Sequence, residues 1–174
     1  MKQIFIYTLI LLFGLIQLAQ ANEIDHLRKS FHESVLQSDK LPIFLKEIEK
    51  INNPSALEKA YIGASEALKA RESWNPIEKL IYIQKFRENL LEAVKCDSQD
   101  IEIRFLRLSI EYNIPSMLRS KKTLDEDKSL ILDKLSQMNS FKIDQSFIKY
   151  ILIFFEDTKT CSAEELEMIR KKLS

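Results

Sequence analysis

Glycine is nearly missing from this chain: only Gly14 and Gly63 occur in 174 residues. β-Hairpins close through residues of positive φ, which glycine supplies most readily, so the chain cannot furnish many of them. The same scarcity removes the phosphate-cradling loops of nucleotide binders and the Gly-x-Ser-x-Gly elbow of hydrolases. Histidine is as rare. His26 and His32 stand six residues apart, about 240° around a helix, and share no face. There is no His-x-x-x-His pair and no Cys-x-x-Cys, so neither a metal nor any other cofactor is expected. Charge of one sign is lacking too, with 26 basic against 26 acidic side chains. A nucleic-acid binder needs a basic face to displace counterions, and a polybasic membrane-surface protein needs a similar excess. Neither is the expectation from this balance.

What the chain does have begins at residue 1. Met1 and Lys2 precede an apolar run from Ile4 to Leu18, and Ala19-Gln20-Ala21 closes it. A positive start, a hydrophobic centre and a small-x-small ending make a secretory signal peptide, with the cut expected after Ala21. The alternative is an uncleaved anchor. The stretch from Ile4 to Ala21 is 18 residues, interrupted by Thr8, Gly14 and Gln17, whereas a bilayer span needs about 20 mostly apolar ones. Asn22, not cysteine, follows the cut, so no bacterial lipoprotein anchor is expected there. Residues 1–21 are therefore read as a leader and 22–174 as a single all-helical domain, exported to the periplasm or beyond, with no membrane span after cleavage. Loss of Lys2 leaves 25 basic and 26 acidic side chains over 153 residues, a length suited to one domain.

Leu, Ile, Lys and Glu dominate the mature sequence and favour helix. Over 23–38, Ile24, Leu27, Phe31 and Val35 form one apolar stripe. Pro42 opens a short segment over 42–51 carrying Phe44, Leu45 and Ile48. Asn53-Pro54 and Asn75-Pro76 both pair a capping side chain with proline at the first helical position. They predict helices over about 54–72, with a small-residue face of Ala60, Gly63, Ala64 and Ala67, and about 76–96, with Ile77, Leu80, Ile83, Phe86, Leu90 and Val94 inward. The polar turn Asp97–Asp100 leads into a helix over about 100–112, which Asn113-Ile114-Pro115 ends. Thr123-Leu124-Asp125-Glu126 and Ser162-Ala163-Glu164-Glu165 read as capping boxes. The first opens a helix to about Asn139 with Leu124, Ile131, Leu135 and Met138 inward; the second opens the last helix, with Leu166, Ile169 and Leu173. Residues 143–157 are apolar almost all round between Phe147 and Phe155, the pattern of a buried central helix. The expectation is an all-α fold of six to eight helices in stacked antiparallel hairpins.

Residues 86–105 resemble the junction between two tetratricopeptide repeats: Ala93, Val94, Asp97 and Phe105 match the types of that pattern, while Ser98 replaces its usual proline and Leu108 a small residue. A broader resemblance rests on Trp74-Asn75-Pro76 with Lys79-Leu80, and on Arg104-Phe105-Leu106-Arg107-Leu108 with Asn113 and Pro115. In these segments the chain is similar to a family of small secreted helical proteins of Bacteroidota-type bacteria whose function is uncharacterised. That resemblance implies an envelope or secreted location and no activity.

Few side chains stand out as chemistry. Asp125-Glu126-Asp127 is like a calcium loop only in its acids, and helix capping accounts for them. Cys96 and Cys161 could close a disulfide in an oxidising compartment, stabilising by about 4 kcal/mol on the chain-entropy account; the alternative is two independent small apolar side chains. Trp74 could anchor a partner or ligand, or staple its helix start to the core. Arg104 and Arg107 share a helix face and could grip a carboxylate or phosphate with their planar forks; the alternative is pairing with nearby acids, Glu111 lying four residues beyond Arg107. The leading expectation is a non-enzymatic interaction module that holds a protein or peptide partner, with Arg104, Arg107, Trp74 and Asn113 as its surface. A carrier of a small apolar ligand or lipid, lined by the helix around Phe147–Phe155, is the second reading. An enzyme assembled from scattered residues is the third.

Overall fold

A computed structural model describes residues 23–137 and 145–173. The leader expected over 1–21 and Met138 lie outside the described residues. Those residues form α-helices and turns, with no strand among them. In chain order they are α1 (23–36), a 3-10 turn at Ser38–Lys40, α2 (Leu41–Ile48), α3 (Ala56–Glu72), α4 (Pro76–Cys96), α5 (Ile101–Asn113), α6 (Lys121–Gln137), α7 (Gln145–Thr158) and α8 (Ala163–Arg170). The expected all-α class is what the chain adopts. The chain resolves into two compact units that divide between Phe86 and Arg87, inside α4.

The first unit is built on aromatic and small residues. Phe31 meets Phe44 at 5.7 Å and Tyr61 at 5.5 Å between ring centroids, within the range where tilted and edge-on pairs attract. Ala60, Gly63, Ala64 and Ser65 are buried along α3, as a face of small side chains permits close helix packing. Arg71, late in α3, donates to the carbonyls of Val35 and Ser34 at 2.9 and 3.0 Å. It thereby satisfies the last carbonyls of α1, which a helix end otherwise leaves unpaired.

The second unit gathers Leu108, Ile131, Leu135, Ile148, Ile151, Phe155 and Ile169 into one core. Burying each of these side chains contributes about 1.5–3 kcal/mol. α5 packs on α6, α7 on α8, and α6 on α8. Phe105 lies edge-on to Phe147 and Phe154 at 5.6 and 5.5 Å, and Tyr112 to Phe154 at 5.6 Å.

Helix starts follow the capping chemistry, with two shifts from the sequence expectation. Asn75 caps α4 as expected, its side-chain oxygen accepting from the Ile77 amide at 2.9 Å. Ser162 and Glu165 form the expected capping box on α8. At α3, however, the cap is Ser55 and not Asn53: Ser55 Oγ accepts from Glu58 N and the Glu58 carboxylate accepts from Ser55 N. Asn53 sits at φ 52°, a left-handed corner that asparagine tolerates and that no glycine is present to fill. At α6 the helix begins at Lys121, two residues before the expected box. Ser120 takes the capping role, its Oγ accepting from the Thr123 amide at 3.3 Å. A third difference concerns α7. Ile148, Ile151 and Phe155 are buried while Lys149, Tyr150 and Ile153 are exposed, so α7 lies against the core with one face and is not its central rod.

Candidate functional site

α4 opens with the most exposed apolar surface among the described residues. Trp74 is 98% exposed, and Ile77, Leu80 and Ile81 behind it are exposed as well. Spacings of three and four place Ile77, Leu80 and Ile81 on one side of the helix start, and Trp74 immediately precedes its cap. The segment that carries them is firmly shaped. Ser73 Oγ donates to Glu78 Oε2 at 2.9 Å, and the Asn75 amide donates to Ser73 Oγ at 3.1 Å. With Asn75 capping and Pro76 at the first position, the backbone is preset for helix. Trp74 does not staple the helix start to a core; its ring stands in solvent.

The two arginines of α5 have another fate. Arg107 forks onto Asp127 of α6 through Nε and Nη2, both at 2.7 Å. Arg104 Nη1 reaches the same carboxylate at 2.9 Å, and its Nε and Nη2 both donate to the Ser98 carbonyl. Asp127 is wholly buried and both arginines nearly so. The pairing weighed from the sequence, Arg107 with Glu111, is not made. Glu111, also buried, accepts from Arg87 at 2.6 and 3.1 Å and from the Ser120 amide at 2.6 Å. Arg87 also donates to the Leu118 carbonyl. The guanidinium forks that could have gripped an external carboxylate thus grip one inside the fold. Asn113 is exposed at the end of α5 and donates to the Ser109 carbonyl at 2.8 Å, so Trp74 and Asn113 are exposed while Arg104 and Arg107 are committed to Asp127.

Arg87 went unremarked in the sequence, and Asp127, read there as one of three capping acids, is instead the buried partner of two arginines, although a signal for its burial exists. It falls on the stripe of Leu124, Ile131 and Leu135, and a charge on a core stripe needs a buried partner. Which partner it finds, 20 and 23 residues back, no helical period specifies.

The cysteines are not joined to each other. Cys96 is exposed at the end of α4. Burial pushes the Cys161 thiol up to about 12, with Glu165 adding to it and Lys128 opposing, which makes it a poor nucleophile. Glu165 is itself pulled below the usual carboxylate range: burial raises it, but the Ser162 amide and Lys128 outweigh that. Asp100, which caps α5 by accepting from Glu102 and Ile103, is raised, chiefly by burial. His26 Nδ1 lies 3.7 Å from Glu47 Oε2. Among the described residues no three His, Cys, Asp or Glu side chains come together as metal ligands would, and no helix is long and apolar enough to cross a membrane.

No protein family, curated protein or solved structure matches this chain. Its function has therefore to be argued from these residues.

Proposed function

We propose that the protein is a non-enzymatic helical interaction module, working outside the cytoplasm, that receives an amphipathic helix of a partner protein on the stripe Trp74, Ile77, Leu80 and Ile81. The observation that carries this reading is the near-complete exposure of Trp74 at the head of three exposed aliphatic side chains in helical register. Large apolar surface left in water is costly unless something covers it, and tryptophan is the commonest anchor of protein contacts. A capped helix offers ridges and grooves at the spacing of another helix. Helix-in-groove recognition reads such anchors at intervals of three and four. Glu78 and Lys79 flank the stripe, so a partner of mixed charge suits its edges. The exported location rests on the leader pattern of residues 1–21.

A photo-crosslinking side chain placed at Ile77 tests the proposal in the producing cell. The expected result is one discrete adduct with another protein, lost when Trp74→Ser and Ile81→Asp are added. The same probe at Glu49, an exposed residue just beyond α2, gives no such adduct. Equal capture from both positions, or none at Ile77, overturns the reading.

A further inference from the structure

α5 and α6 are joined by a corner, residues 114–120, whose construction is unusual for a surface turn. Its centre is Met117, 89% exposed, followed by Leu118, also exposed. Connecting segments on a protein surface are ordinarily polar, and an apolar tip gains nothing from water. This tip is nonetheless held out by internal bonds. The turn closes through Leu118 N to the Pro115 carbonyl at 2.8 Å and Arg119 N to the Ser116 carbonyl at 3.3 Å. Arg87 Nη2 grips the Leu118 carbonyl at 2.5 Å, and buried Glu111 holds both Arg87 and the Ser120 amide. Arg119 Nε bonds the Ile114 carbonyl at 3.1 Å, and its guanidinium lies 4.6 Å from the Tyr112 ring centre. Charge-assisted hydrogen bonds are the stronger kind, and here three of them fix the backbone, at Ile114 before the apolar tip and at Leu118 and Ser120 within and after it.

The charge beside the tip is one-sided. Residues 115–122 contain Arg119, Lys121 and Lys122 and no acid. Lys121 and Lys122 are exposed; Lys122 makes a loose, solvent-exposed pair with Glu126, one turn into α6, at 3.8 Å. The chain as a whole is neutral, so this is a local concentration that an average over the sequence conceals.

We propose that this corner docks on an anionic lipid surface, Met117 and Leu118 entering the interfacial layer while Lys121, Lys122 and Arg119 meet the phosphates. Apolar tip and basic flanks are the two components of interfacial binding, and each alone is weak. Lipid suits the site better than a protein partner. The flanking charge is what decides for lipid: Arg119, Lys121 and Lys122 stand beside the apolar tip with no acid in residues 115–122, the sign that an anionic bilayer surface complements. This inference stands independently of the stripe on α4.

The test places a reporter at the tip itself, so that any lipid affinity of the apolar run Ile4–Leu18 does not enter the reading. Met117→Trp in a Trp74→Phe background gives a single emitter at the corner. With vesicles carrying about one-third anionic lipid, the expected result is a blue shift and quenching by brominated acyl chains, weakened by salt as screened charges are. Lys121→Glu with Lys122→Glu is expected to weaken partitioning at least about tenfold, since each cation near an anionic surface contributes on that scale. Circular dichroism should leave the fold of both variants unchanged, the replaced side chains being exposed. An emission spectrum indifferent to anionic vesicles, or an equal response to purely zwitterionic ones, overturns the proposal. So does quenching that survives the charge reversal, or a blue shift produced only by a protein fraction.

Discussion

The two units of the chain satisfy their buried polar groups in different ways. Among the described residues of the first, the buried polar ones are Ser30, Ser34 and Ser65. Ser34 donates to the carbonyl of Ser30, and Ser65 to that of Ile62, so both of these hydroxyls are paired within their own helices. In the second, the buried polar residues are Arg107, Glu111 and Asp127, and their partners lie on other helices. Local pairing leaves a helix free to pack wherever its apolar face directs. Pairing across helices ties α5 to α6 and to Arg87 at one register, because a fork on a carboxylate tolerates little displacement. A buried ion pair adds little net stability, yet removing one partner strands the other in a low-dielectric interior. The second unit should therefore be the more exacting about its charges.

Substitution can break that contrast. Asp127→Ala strands Arg104 and Arg107, and a loss of about 3–5 kcal/mol is expected in denaturant unfolding. Adding Arg104→Leu and Arg107→Met should recover most of it, since no unpaired charge then remains. Glu111→Gln is expected to cost less, about 2 kcal/mol by the same measurement. Arg87 is 39% exposed and can return to water, and the new amide oxygen still accepts from Ser120. In the first unit, Ser55→Ala removes the capping box of α3, and a loss of about 1 kcal/mol is expected in thermal unfolding.

Asp100 sharpens the comparison through pH. Its carboxyl titrates higher in the folded than in the unfolded chain because burial disfavours the charge. It therefore takes up a proton more readily when folded. Its contribution disfavours folding at pH above the folded value and vanishes as pH falls below the unfolded one. Asp100→Asn keeps a capping oxygen without the charge. Because that contribution falls as pH rises, the stability of the variant should rise more steeply with pH through the acid range than that of wild type, and equal slopes would refute the assignment. The smallest effect is expected at Ser65→Ala, within about 0.5 kcal/mol in denaturant unfolding, because alanine's helix propensity offsets a hydrogen bond made inside the same helix.

Helix starts show how far local sequence reaches. Asn75-Pro76 and Ser162–Glu165 were legible because each offers one capping side chain at the right distance from its helix. Asn53-Pro54 and Thr123–Glu126 misplaced their starts because Ser55 and Ser120 compete within two or three residues, and the backbone at Asn53, with φ 52°, had already left the helical region. The one-sided burial of α7 was illegible for a similar reason. An almost unbroken apolar run carries no amphipathic period, so its neighbours decide which side faces the core. The candidate surface was legible in part. Trp74 stood out as a lone tryptophan, but whether it packed or protruded is a property of its surroundings. Arg104 and Arg107 stood out as a pair, and only the position of Asp127 turned them inward.

By itself, the sequence determined the helical class, through scarce glycine, strong helix formers and apolar periods of three and four. It also determined most of the caps, because these are interactions over three or four residues along one backbone. The tertiary structure alone decided which charges were buried together, which apolar side chains were left to solvent, and which turn was braced to hold an apolar tip outward. Those outcomes depend on contacts between residues 20 or more positions apart, such as Arg107 with Asp127 and Arg87 with Glu111. No local propensity encodes such a distance; it is set when the apolar faces pack and bring the helices to one register.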